Sequence, residues 1–320
     1  MPSNFTSGWL GNGEKAWHGQ GVVTEGTLPA REAFEKANAL FTVEKRELSY
    51  PRWETSDDVP QPYQVHEKSG TFGLVRTDTQ QLLGVVSKQY EEVQNQALLR
   101  MAEFIREEAD MDSVVVLADG AKVCFTATLK GASTDIVPGD TVKRRLVGYL
   151  GHDGKTGCGA KFTNIRVVCQ NTLSAALAGS GNSRSITHKR GANLNFDKLI
   201  TSINIARQSF EEECEYMREF ASRSMNRDGF REFVNTVYNV TDEDIFRKRQ
   251  SLERAFNWGM GAEFAPNSIW NAVNAVTEIE TSTRNKTAAN ARKQFARANF
   301  GVGLEYSRKA TELAKQLVNA

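Results

Sequence analysis

Acid is what this chain lacks over its middle third: between Asp153 and Asp197 there is no Asp or Glu among 320 residues. Six cations stand in that gap, Lys155, Lys161, Arg166, Arg184, Lys189 and Arg190. The whole chain carries a net charge of +1, yet residues 143–190 hold nine Lys and Arg against one Asp, so everything else is net acidic. Cations gathered without carboxylates are the electrostatic footprint of a polyanion site, because clustered Lys and Arg release condensed counterions on meeting phosphates. A solvated loop of incidental charge is the competing reading.

Other absences narrow the function further. The four cysteines, Cys124, Cys158, Cys169 and Cys214, stand singly. They lack the short paired spacing of a zinc site or a redox dithiol, so they read as small core hydrophobes and no metal is expected. His18, His66, His152 and His188 fall in four separate loops, none at metal-ligand spacing to another or to a cysteine. No catalytic constellation emerges, since His152-Asp153 reads more simply as a turn than as an acid/base pair. Gly154-Lys155-Thr156 resembles part of a phosphate loop, but Tyr149 stands where that motif requires glycine. Nucleotide hydrolysis and dinucleotide redox chemistry are therefore disfavoured, and no cofactor is expected. No apolar run approaches the ~20 residues that cross a bilayer, and Met1-Pro2-Ser3-Asn4-Phe5 lacks the order of a secretion signal. The expected location is the cytoplasm of a bacterial host.

What is present reads as an α+β protein: an N-terminal antiparallel β-meander packed with helices, then a mostly helical C-terminal region. Residues 1–26, rich in glycine, read as an irregular arm. A core domain is expected over 27–178, a basic mobile linker over 179–193 and a helical domain over 194–320. Within the core, the pattern predicts a helix from Pro29 to Leu40, a loop from Tyr50 to Pro62, and a hairpin of Gly73 to Arg76 with Leu82 to Lys88. Val93, Ala97, Leu98, Met101, Ala102 and Ile105 recur at helical spacing. Ser113 to Leu117, Ala121 to Lys130 and Thr141 to Leu150 read as three strands, and a helix is expected from Thr163 or Asn164 to Ala178. Phe162, Ile165, Cys169, Leu173 and Ala176 form its apolar stripe, with Arg166 and Gln170 on the shoulder. The second half reads as helices over 194–225, 230–238, 242–258, 268–282 and 288–318. Residues 281–304 are again free of acid and contain Arg284, Lys286, Arg292, Lys293 and Arg297.

Lys161 and Arg166, placed at the start of such a helix, would join the unpaired amides and positive dipole end in holding a phosphate. Lys189 and Arg190 complete the first set of phosphate contacts, with Lys143, Arg144, Arg145 and Lys155 flanking. Gln170, Asn171 and Asn164 offer neutral donors that contact backbone oxygens without reading sequence. The alternative is that the arginine, glutamine and asparagines form an internal polar network or a subunit contact.

The run Arg166-Val167-Val168-Cys169-Gln170-Asn171-Thr172-Leu173 resembles the hallmark of an uncharacterised family of phage- and plasmid-encoded proteins. Trp17-His18-Gly19, Leu83-Gly84-Val85-Val86-Ser87 with Tyr90 and Asn95, His188, Asn274-Ala275-Val276-Thr277-Glu278, and Phe300-Gly301 with Gly303 fit the same family. The resemblance implies a mobile-element context and no settled activity. The order of helix, three antiparallel strands and basic helix is similar, more distantly, to single-strand annealing proteins, which form rings or filaments and need neither metal nor nucleotide hydrolysis. The expected function is thus non-enzymatic binding of single-stranded DNA by a homo-oligomer, with strand annealing as its extension, in recombination or replication. An assembly or anti-defence protein acting through protein contacts is the alternative, and an enzyme processing nucleic acid the third reading.

Overall fold

The computed structural model describes residues 5–11, 21–56, 59–166, 172–173, 184–186, 196–240, 246–259, 261–281 and 302–320. Eleven strands occur among them, β1 (Phe5–Leu10), β2 (Val22–Val23), β3 (Val43–Ser56), β4 (Val59–Arg76), β5 (Leu82–Val86), β6 (Ala109–Leu117), β7 (Lys122–Asp135), β8 (Thr141–Gly151), β9 (Cys158–Arg166), β10 (Thr172–Leu173) and β11 (Arg184–Ile186). The helices are α1 (Ala30–Lys36), α2 (Asn95–Phe104), α3 (Phe196–Ser222), α4 (Arg227–Tyr238), α5 (Phe246–Trp258), α6 (Ile269–Thr281) and α7 (Val302–Asn319). The architecture is α+β as expected, with antiparallel strands first and helices after.

The larger sheet runs β10-β9-β8-β7-β6-β1-β2, with β11 also paired to β9. Its pairs are antiparallel except β1 with β2. Alternation along β8 sets its two faces. Val142, Leu146 and Leu150 are buried toward the helices, as is Arg144 between them. In α3 the buried residues Ile203, Ala206, Phe210, Cys214, Met217 and Phe220 recur every three or four positions, the stripe that seats this helix on the sheet. One apolar cluster runs from Trp9 in β1 through the sheet and α3 to Val318 in α7.

Local chemistry marks the helix ends. Asn226 caps α4 by accepting the Gly229 amide at 2.8 Å, and Asn239 closes it in the left-handed region at φ 52°. Ser268 caps α6 by accepting the Asn271 amide at 3.0 Å, and the Trp270 indole donates to Asp140 at 2.8 Å, tying α6 to the β7–β8 turn. The smaller sheet, β3-β4-β5, meets the larger one where Gly84 passes the loop after β8. A Cβ at Gly84 would stand 2.7 Å from the His152 carbonyl oxygen, so glycine permits the contact.

Four sequence expectations change. Residues 158–166 are a strand that runs through Thr163 and Asn164, where a helix was expected to begin, and Thr172 and Leu173 return antiparallel beside Ile165 and Asn164. Tyr50 to Pro62 is not a loop: β3 and β4 form a ribbon of 14 and 18 residues across it. Pro51, Pro60 and Pro62 are tolerated because each strand of a two-stranded ribbon keeps one open edge. Phe5–Leu10 of the expected arm is a sheet strand, and Arg184–Ile186 of the expected linker pairs with β9.

Candidate nucleic-acid interface

The window between Lys143 and Arg190 supplies β8, β9, β10 and β11. Cross-strand partners share a face, so register sorts its cations. Lys143 pairs with Ile165, Arg145 with Thr163 and Val147 with Lys161, which puts Lys143, Arg145 and Lys161 on the face turned away from α3. Arg144 pairs with Asn164, on the face toward the helices. Lys161 and Arg166 therefore do not stand at the start of a helix, as the sequence suggested, but along the strand β9.

Arg144 is withdrawn as a phosphate contact. It is 1% exposed, and its guanidinium donates to both carboxylate oxygens of Glu213 on α3 at 2.8 Å. Further donation goes to Asn164 Oδ1 at 2.9 Å, Ser209 Oγ at 2.7 Å and the Ala206 carbonyl at 3.1 Å. Asn164 closes the network by donating to Glu213 at 2.6 Å. This network joins sheet to helix, and of the residues weighed for an internal polar network it contains Asn164. Its signal was hidden because Glu213 lies 69 residues from Arg144.

Arg145 keeps the opposite face but is neutralised by Asp112, 2.8 Å from its Nε, whose carboxylate also accepts from Thr128 at 2.9 Å. Lys143 is half-buried and forms no ion pair among the described residues. Lys155 is exposed in the turn after β8, with no carboxylate on its amine there. In that turn Asp153 accepts the amides of Lys155 and Thr156 at 2.9 and 2.6 Å. Burial alone would raise its carboxyl, but those amides, the Thr156 hydroxyl and Lys122 hold it below its ordinary value.

Lys161 is the unusual cation. Burial lowers its amine from the ordinary 10.5 to about 8, opposed by Cys124 on the same sheet face. Burial likewise pushes the Cys124 thiol up to about 12. Val115, Leu117 and Cys124 form a small buried apolar group there, with Tyr149 against it. Arg166 is described only through its backbone, and Gln170, Asn171, Lys189 and Arg190 lie outside the described residues. Cys124, Cys158 and Cys214 are buried and free. Among the described residues no group of three His, Cys, Asp or Glu could hold a metal ion, and no helix is long and apolar enough to cross a membrane.

Sheet and helices together define an α+β protein whose basic window is split between an internal bridge and a cationic sheet face. The chain belongs to the family of DUF932, a domain of unknown function, whose model matches residues 82–318. Neither the curated proteins nor the solved structures give a match.

Proposed function

We propose that this protein binds single-stranded DNA, without catalysis, along the β8–β9 face turned away from α3, and promotes strand annealing as a homo-oligomer of a phage or plasmid. The observation that carries the reading is the placement of Lys143 and Lys161 on one face by strand register, with Arg145, already paired to Asp112, between them. Alternate residues of a strand lie about 6.6 Å apart, so cations on one face form a ladder along which a sugar-phosphate backbone can run. Lys155 adds an exposed cation in the turn after β8. Arg166, Lys189, Arg190, Gln170 and Asn171 stay in the reading as flanking contacts on the strength of the acid-free sequence alone.

Lys161 sharpens it. A phosphate beside a lysine restores the charged form that burial disfavours, so binding takes up protons near pH 8. Affinity for an oligonucleotide should hold below about pH 8 and fall as the pH rises past it. A gel-shift titration of labelled single-stranded DNA across pH and salt tests this, and affinity indifferent to both refutes the reading.

A second reading, assembly or anti-defence through protein contacts, draws support from the β3–β4 ribbon. There Trp53 is 68% exposed and Tyr50 47%. The ribbon's cations are already paired, Arg52 with Glu54 and Glu67, and Lys68 with Glu47. Exposed aromatics on a charge-compensated strand pair suit a protein surface better than a phosphate backbone. Capture of a protein partner by wild type that is lost in Trp53→Ser, with no DNA binding by either, would favour this reading.

A further inference from the structure

The solvent side of α5 holds an aromatic ring and a cation that the fold itself does not use. Leu252, Ala255 and Phe256 seat this helix in the apolar cluster. Opposite them, at 3.6 residues per turn, Gln250, Glu253, Arg254, Asn257 and Trp258 share an arc of about 140°. Trp258 is 80% exposed, the most of any large apolar side chain among the described residues. Arg254, one turn before it, is exposed and forms no ion pair or hydrogen bond among the described residues. Residues four apart on a helix are neighbours, so ring and guanidinium stand side by side.

The charge around them is positive. α5 carries four Arg and Lys against Glu253 alone. Lys248 meets Glu280 at 2.7 Å, and Arg249 donates to Asn235 at 2.9 Å. Glu253 is shared by Arg227 and Arg231 of α4, each 3.2 Å away. Burial alone would raise its carboxyl, but Arg231 and Arg227 hold it below its ordinary value. With Asp228 at 3.9 Å from Arg231, three arginines face two acids, and Arg254 is the one left uncompensated. A protein hot spot sets its tryptophan in a packed, desolvated pocket. Along this arc every neighbour of Trp258 is polar, so the ring is a lone flat surface beside a free cation. That pairing suits a nucleobase on the ring and its phosphate on the arginine.

We infer that Trp258 and Arg254 of α5 form a second contact for single-stranded nucleic acid, a base stacking on Trp258 while Arg254 meets the adjoining phosphate. This contact rests on the single-strand reading above for its ligand but not for its surface, since α5 supplies no residue to the β8–β9 face. The two contacts differ in kind. The sheet face meets the backbone through charge alone, whereas α5 engages a strand only where a base is present to stack. Stacking of this sort tolerates any sequence, because every base has a π-face.

The experiment uses the full chain and two labelled oligothymidylates of equal length, one intact and one abasic, with affinity read by anisotropy across salt. Trp258→Ala should bind the intact strand at least about fivefold more weakly, the loss of one stacked base, with an unchanged salt slope. On the abasic strand it should match wild type. Trp258→Phe, which keeps an aromatic face, should retain most of the affinity, and Arg254→Gln should flatten the salt slope by about 0.7. Both positions are exposed, so these variants should keep the wild-type urea midpoint. Trp258→Ala with wild-type affinity for the intact strand overturns the inference and leaves the face to a protein partner. An equal loss on intact and abasic strands overturns it too, since no base is then being stacked. Lys143→Gln with Lys161→Gln separates this contact from the sheet face: an effect there with none at Trp258 refutes α5 alone, and the reverse pattern refutes the sheet face alone.

Discussion

Arg144 and Arg145 are neighbours in sequence and occupy opposite faces of β8, and their fates diverge. Toward the helices, Arg144 is enclosed with Glu213, Asn164 and Ser209, every donor directed inward. Away from the helices, Arg145 meets Asp112 while Lys143 and Lys161 share its face. One charged run thus serves two ends: Arg144 fastens sheet to helix, while Lys143, Arg145 and Lys161 stand on the opposite face. A tally of charge along the chain cannot separate these uses. Strand alternation does.

The comparison can be broken most severely at Glu213. Glu213→Ala strands a buried guanidinium and should cost about 3–5 kcal/mol, read as a lower urea midpoint. Replacing both partners, Arg144→Met with Glu213→Leu, should recover most of that loss. Equal destabilisation by the single and double variants would contradict a buried ion pair and point to packing alone.

Next in size is Lys161→Met. The folded amine titrates near 8 while an unfolded lysine titrates near 10.5, so between those values the unfolded chain holds more protons and stability rises with pH. Below pH 8 both forms are charged and the folded state carries the whole burial cost. Methionine should therefore raise the Tm at pH 7 by a few degrees, remove the stability gain between pH 8 and 10, and weaken DNA binding. A variant that is less stable would show that Lys161 is a structural brace. Stability gained with binding unchanged would show that it is not a phosphate contact.

Smaller effects sharpen the outer face. Asp112→Asn removes the counter-charge of Arg145, costs about 1 kcal/mol by urea unfolding, and should steepen the salt dependence of DNA binding by up to about 0.7, one further phosphate contact. Smallest of all, Trp53→Ser on the exposed ribbon should leave the urea midpoint within about 0.5 kcal/mol of wild type.

Much of the fold was legible. The meander of β6, β7 and β8 and the helices α2 to α6 follow from apolar periods of two and of 3.6. The misreading at 163–166 and 172–173 has a physical source, the rest of the expected helix lying outside the described residues. Phe162 and Ile165 satisfy a helical stripe, but Cys158, Ala160, Phe162, Asn164 and Arg166 equally satisfy alternation, and the apolar appearance of that face is interrupted by Asn164 and Arg166. Asn164 belongs inside because Glu213 meets it from α3, 49 residues on, which no local pattern reveals. Pro51, Pro60 and Pro62 spoke for a loop because sequence does not disclose that the strands carrying them have open edges. At the site, the existence of a cationic window was legible, and its division between two faces was not.

The most direct measurement is the slope of log affinity for a single-stranded oligonucleotide against log salt, for wild type and for Lys143→Gln with Lys161→Gln. Wild type should lose affinity steadily with salt, and the double variant, still folded by circular dichroism, should have a slope shallower by about 1.4, two phosphate contacts. A wild-type slope of zero, or an identical slope in the folded variant, would contradict the claim that the β8–β9 face receives a phosphate backbone.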